Sequence, residues 1–175
     1  RITTMSYHLK YFFSYYFNGF LEKYEQENNC KLYTIFAGGD DLMIICPQRY
    51  ALDLLNKFNE SFTKFVCNNN EIHISYSITY FKDSTPIKIV AGFSEENQEK
   101  AKNNSRQYSS GDSEYFNSSN NKASFYLHNT IIKNSLIDNI INDIELLEKW
   151  YKEEKISMGI IRNLLMVSEN MKDFR

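Results

Sequence analysis

Apolar residues recur at helical spacing along the first part of the chain. Leu9, Phe12, Phe13, Tyr16, Phe17, Phe20, Leu21 and Tyr24 fall at i, i+3, i+4, i+7, i+8, i+11, i+12 and i+15. That period predicts a helix over roughly residues 4–27, with the polar run Glu25 to Asn29 as its exit. Its aromatic density suits core packing against a sheet; base stacking is the other reading. The pattern then changes. Leu32 to Ala37 and Leu42 to Cys46 are two apolar runs joined by Gly38-Gly39. Apolar β-formers flanking Gly-Gly predict a hairpin with both glycines at the central turn positions, where φ > 0 is cheap only for glycine. Neither run alternates with polar residues, so both are expected as central strands covered on both faces.

Pro47 closes the second strand. Ala51, Leu54, Leu55, Phe58, Phe62, Phe65 and Val66 form another helical stripe, over roughly 49–66. Ile72, Ile74, Tyr76, Ile78 and Tyr80 alternate with His73, Ser75, Ser77 and Thr79. Period 2 predicts a strand whose polar face, lined with small hydroxyls, lies open to solvent or to a nucleotide. Pro86 opens a weakly helical segment that ends near Lys100 and Lys102, where cations are favourable. Asn103 to Asn121 is rich in Asn and Ser and lacks an apolar period, which predicts a surface loop. Lys122 to Leu127 reads as a last strand. The tail is helical: Ile137, Ile140, Ile141, Ile144, Leu147, Trp150 and Tyr151 form one stripe. Ile156, Ile160, Ile161, Leu164, Leu165 and Val167 form a second, with Ser157 as its N-cap. Both tail stripes are expected to be buried, with Trp150 at the contact.

The organising feature is Gly38-Gly39-Asp40-Asp41. Two carboxylates at a strand end suit magnesium, which takes oxygen ligands, keeps several waters and is shared with substrate phosphates. Glycines without side chains let phosphates approach main-chain N–H groups. Regular strands send successive side chains to opposite faces, so both carboxylates reach one ion only if the backbone bends there. A solvated turn without metal is the plain alternative.

Composition narrows the picture. The 175 residues hold one sizeable domain, or a domain with a helical appendix, and the 42% apolar content is enough for a core. A net charge of −2 gives no global basic field toward nucleic acid. Cys30, Cys46 and Cys67 are odd in number and far apart. That argues against a disulfide framework or a Cys-x-x-Cys zinc site, and for free thiols in a cytoplasmic protein. No apolar run approaches membrane-spanning length, and no signal peptide is apparent. The chain starts at Arg1 rather than Met, so it reads as part of a longer protein.

Ala37-Gly38-Gly39-Asp40-Asp41-Leu42 between two apolar runs resembles the signature of the second Palm domain in the large subunit of type III CRISPR effector complexes, of the Csm type. Other stretches agree in order. Ile72-His73-Ile74-Ser75-Tyr76-Ser77-Ile78 resembles a strand of that family. Thr85-Pro86-Ile87 with Glu99-Lys100-Ala101-Lys102 resembles its next helix, and Lys122 to Leu127 its last strand. Glu154-Lys155-Ile156-Ser157 and Ile160 to Leu165 resemble its C-terminal helical domain.

The resemblance implies an α+β, ferredoxin-like Palm over 1–129 and a helical domain over 130–175. The element order is β-α-β-β-α-β with the first strand, and the acidic metal ligand it carries, expected before residue 1. It further implies condensation of ATP into cyclic oligoadenylate, with Mg2+ or Mn2+ on Asp40 and Asp41. Gly38, Gly39, Ser75 and Lys102 would contact the nucleotide. On charge alone Lys102 is a helix-end cation. The implied partners are the other effector subunits and, through the complex, guide RNA and target RNA, in antiviral defence. No His-Asp dipeptide like that of the family's nuclease domain is present. Two rivals stand. Diguanylate cyclases use GTP and carry Gly-Gly-Asp/Glu-Glu-Phe, where this chain has Asp41 and Leu42. The other rival is an inactive Palm serving as a scaffold.

Overall fold

The computed structural model describes residues 2–38, 41–69, 72–109, 123–127 and 130–164. Two compact units divide at Ser135/Leu136.

The first unit starts with one long helical rod. α1 (Ile2–Tyr11) runs through a π-helical turn (Phe12–Tyr16) into α2 (Phe17–Asn28). The N–H of Phe17 donates to the carbonyl of Phe12, an i→i+5 bond that adds one residue to the turn. Inside that turn one position leaves the inward face. Phe12, Phe13, Phe17, Leu21 and Tyr24 are buried, whereas Tyr16, expected inside from a strict 3.6 period, is half exposed. Asn29 ends the rod in the left-handed region, φ 45°, and its N–H returns to the Glu25 carbonyl. The Glu25 carboxylate also accepts from the Leu32 N–H at 2.6 Å, fixing where the chain leaves for the first strand.

β1 (Tyr33–Gly38) and β2 (Asp41–Ile45) form an antiparallel hairpin. A 3-10 turn (Gln48–Tyr50) follows Pro47 and leads into α3 (Ala51–Phe65), whose Leu54, Leu55, Phe58 and Phe62 face inward as their spacing requires. α3 and the N-terminal rod share a phenylalanine core. The Phe12 ring lies 4.6 Å from Phe65, 5.4 Å from Phe62 and 6.0 Å from Phe58. Phe17 meets Phe58 edge-on at 4.9 Å. The core reading of the aromatic stripe therefore holds for its phenylalanines.

β3 (Tyr76–Ile78), α4 (Ile87–Ser109) and β4 (Ser124–Leu127) make a parallel crossover, and β5 (Thr130–Lys133) returns antiparallel to β4. α4 seats on this sheet through Ala101, which is fully buried and whose carbonyl accepts from the Ser124 hydroxyl at 3.2 Å. Asn59 on α3 accepts from both the Tyr76 hydroxyl and the Asn134 amide, each at 3.3 Å.

The structure departs from the sequence reading in several places. Among the described residues the strands form two sheets, β1-β2 and β3-β4-β5, and no ladder joins β2 to β3. β1 is not covered on both faces: Tyr33, Ile35 and Phe36 are exposed. Only residues 76–78 of the predicted 72–80 strand pair in a ladder. Residues 103–109, read as loop, continue α4 for two further turns, while 110–121 lie outside the described residues. Residues 130–133, read as the start of the helical tail, are a strand of the first unit.

In the second unit, α5 (Ile137–Lys152) closes at Glu154, φ 55°, with the Lys155 N–H donating to the Trp150 carbonyl at 2.9 Å. Residues 158–164 are helical, and the Ser157 hydroxyl accepts from the Ile160 N–H at 3.4 Å, as expected of an N-cap. Ile137 is buried, but Ile144, Leu147, Trp150 and Tyr151 are exposed, so the first tail stripe is not covered as expected.

Candidate functional site

The hairpin places the candidate residues. Gly38 pairs with Asp41, so the two-residue connection is Gly39-Asp40 rather than Gly38-Gly39. Gly38 ends β1 and Asp41 opens β2. Gly39 and Asp40 themselves lie outside the described residues. Asp41 is exposed, and no described residue bonds to its carboxylate. Three residues back, the register slips between Thr34 and Phe36: Thr34 faces Ile44 and Phe36 faces Met43. This bulge at Ile35 breaks the in-out alternation of β1.

The oxygen donors of adjacent Asp40 and Asp41 are the hard ligands a magnesium or manganese ion takes. A lone-pair-rich carboxylate at an exposed strand end, with no described cation against it, fits that role. Among the described residues no group of three or more His, Cys, Asp or Glu side chains converges to hold a metal.

The remaining nucleotide-contact candidates separate. Ser75 is buried, at 9% exposure, and its carbonyl accepts from the Gln98 side chain at 3.4 Å. Its neighbours on the polar face are also engaged: the Ser77 hydroxyl donates to the Ser94 carbonyl at 2.9 Å, and the Asn97 amide donates to the Thr79 hydroxyl at 3.5 Å. The hydroxyl face expected to lie open is thus the surface on which α4 sits. The physical reason is satisfaction: small hydroxyls against a helix find carbonyl and amide partners that an apolar face would leave unpaired. Lys102 is half-buried within α4, well before its end at Ser109, so it is not a helix-end cation. Lys100 pairs with Glu96 at 2.8 Å and lies 5.4 Å over the Tyr126 ring. The hydrogen bond to Glu96 raises the Lys100 ammonium above the ordinary lysine range.

Between α2 and α3 lies a group that sequence reading missed. The Tyr24 hydroxyl donates to Asp53 at 2.6 Å, Lys57 pairs with the same carboxylate at 3.2 Å, and Lys57 lies 5.0 Å over the Tyr24 ring. The Asp53/Lys57 spacing at i, i+4 was the only local signal for it. Cys46, just past β2, has its thiol pushed up by burial, and burial followed by the Cys46 charge does the same to Tyr80. All three cysteines are free. No described helix is long and apolar enough to cross a membrane.

Comparison with known proteins places this hairpin in a family. Residues 1–109 match the family model described as Cas10/Cmr2, second palm domain. The chain is 31% identical over 110 residues to the CRISPR system single-strand-specific deoxyribonuclease Cas10/Csm1 (subtype III-A) of Methanocaldococcus jannaschii. That match covers 59% of this chain and 14% of the relative. The protein of the same description from Streptococcus thermophilus is 31% identical over 106 residues, covering 61% of this chain and 13% of the relative. The chain thus matches only a small part of the length of these curated relatives. These matches bear out the resemblance to a type III CRISPR large-subunit Palm, and the chain belongs to the Cas10/Cmr2 second palm domain family.

Proposed function

We propose that this Palm condenses ATP into cyclic oligoadenylate within a type III CRISPR effector complex, alongside other effector subunits, guide RNA and target RNA. The observation that carries the reading is the Gly-Gly-Asp-Asp hairpin inside the family match, with Gly38 set directly across from an exposed Asp41 at the strand end. The 3′-hydroxyl oxygen of one ATP bonds to the α-phosphorus of another. The bond from that phosphorus to the bridging oxygen breaks, pyrophosphate leaves with the electron pair, and the hydroxyl proton passes to solvent; repetition and a final intramolecular step close the ring.

Asp40 and Asp41 are the residues that would hold Mg2+ or Mn2+, Asp40 first. When bound, the ion stabilises charge on the attacking and leaving oxygens. Gly38 and Gly39 present main chain without side chains, so phosphates can approach N–H groups closely. Lys102 is the candidate phosphate cation from α4. Ser75 has too little surface for a ligand and is not part of the proposed site.

The test uses the complete protein in its effector complex. Asp40→Ala with Asp41→Ala should abolish product from ATP while the melting temperature stays the same. Product at the wild-type rate would refute the catalytic role. A cyclic dinucleotide made from GTP alone would overturn the substrate assignment in favour of a diguanylate cyclase.

A further inference from the structure

The N-terminal rod sorts its aromatic residues by chemistry. Its inward rings at 12, 13 and 17 are all phenylalanine, and the buried Tyr24 has its hydroxyl satisfied by Asp53. Its outward rings are all tyrosine: Tyr7 is 68% exposed, Tyr11 52% and Tyr15 70%. These three stand at i, i+4 and i+8, one above another on the same face. The rings of Tyr11 and Tyr15 stack at 5.3 Å and 29°. Three residues on from each ring comes Lys10, Ser14 or Asn18, a second row of polar groups running beside the first. Asn18 donates one amide hydrogen to the Ser14 carbonyl and stays on the exposed surface.

Charge on this stretch differs from the rest of the molecule. The chain carries 22 Asp and Glu residues, yet residues 1–21 contain none, while Arg1, His8 and Lys10 fall within them. Exposed tyrosine rings on a stretch that itself carries no carboxylate, with exposed Lys10 among them, combine aromatic surface on which bases stack with a cation for phosphates.

We propose that the Tyr7-Tyr11-Tyr15 row is a stacking platform for single-stranded nucleic acid, with Lys10 contacting its phosphates. The platform lies on the rod rather than at the Gly-Gly hairpin. It goes beyond the nucleotide-condensing reading, and its test measures binding rather than product, so either can fail alone.

The complete protein containing this chain is titrated into a fluorescein-labelled oligouridylate and followed by anisotropy. Tyr7→Ser, Tyr11→Ser and Tyr15→Ser together should weaken binding by at least about tenfold. The matching Tyr→Phe triple, which keeps the π-faces, should stay within about twofold of wild type. Lys10→Gln should lower the slope of log affinity against log salt by about one. A melting temperature matching wild type certifies the serine triple; if it melts early, Tyr15→Ser alone replaces it and should still weaken binding. Failure of the wild type to bind the oligouridylate overturns the proposal. Unchanged binding by the folded serine variant overturns it too. So does loss of a protein subunit from the assembly with oligonucleotide binding intact, which would make the row a protein-docking face.

Discussion

Tyr24 and Tyr76 are the two residues whose ionisation the fold opposes most. Burial, then the hydrogen bond to Asp53, pushes the Tyr24 hydroxyl far above its ordinary value of 10.0; burial alone does so for Tyr76. Above pH 10 the unfolded chain releases these protons while the folded state keeps them. The folded state then binds more protons, so unfolding free energy falls as pH rises. Below that range both states keep the protons and these groups add no pH dependence. Urea unfolding as a function of pH should show stability declining as pH passes about 10. The decline should be shallower in a Tyr24→Phe, Tyr76→Phe double variant, and equal slopes would show that neither hydroxyl controls the alkaline limit.

The N-terminal rod has a weak point at the scale of the element. Gly19 sits inside α2, where glycine costs helix stability because it leaves more backbone freedom in the unfolded chain. A Cβ built there meets nothing within 4 Å. Gly19→Ala should therefore stabilise the protein by about 0.5–1 kcal/mol, read as a higher urea midpoint at unchanged m-value. A loss of stability would mean that this part of the rod is packed against something. The site is open because position 19 lies off the buried stripe of Phe17, Leu21 and Tyr24, which keeps the phase set by Leu9.

At the scale of the whole molecule, the second unit exposes apolar surface. Trp150 is 38% exposed, which removes the expectation that truncating it would carry the full cost of a buried aromatic. Its fluorescence in this chain should be red-shifted toward that of tryptophan in water and quenched by acrylamide. Blue-shifted, protected emission would refute that exposure. Trp150 is the single tryptophan, so the signal is unambiguous.

Periodicity determined much of this protein on its own. The rod, α3, the hairpin, the Ser157 cap and the α5 helix follow from local spacing, because helical and extended backbones repeat side-chain direction at fixed intervals. The Gly-Gly-Asp-Asp stretch and the order of motifs around it were likewise enough to place the family. Tertiary structure decided the rest. The one-residue shift of the turn to Gly39-Asp40 depends on cross-strand register, which no single strand encodes. β5 was hidden because Thr130-Ile131-Ile132-Lys133 is too short to separate strand from helix without its partner β4. Residues 103–109 read as loop because Asn and Ser are poor helix formers, yet they extend a helix already nucleated and seated through Ala101. Ser75, Ser77 and Thr79 form a polar face in the sequence whether they meet solvent, ligand or helix. Only the packing of α4 settles that Ser77 and Thr79 meet the helix, because hydroxyls near a helix are satisfied by the carbonyls and amides it brings, while Gln98 of the same helix reaches the Ser75 carbonyl.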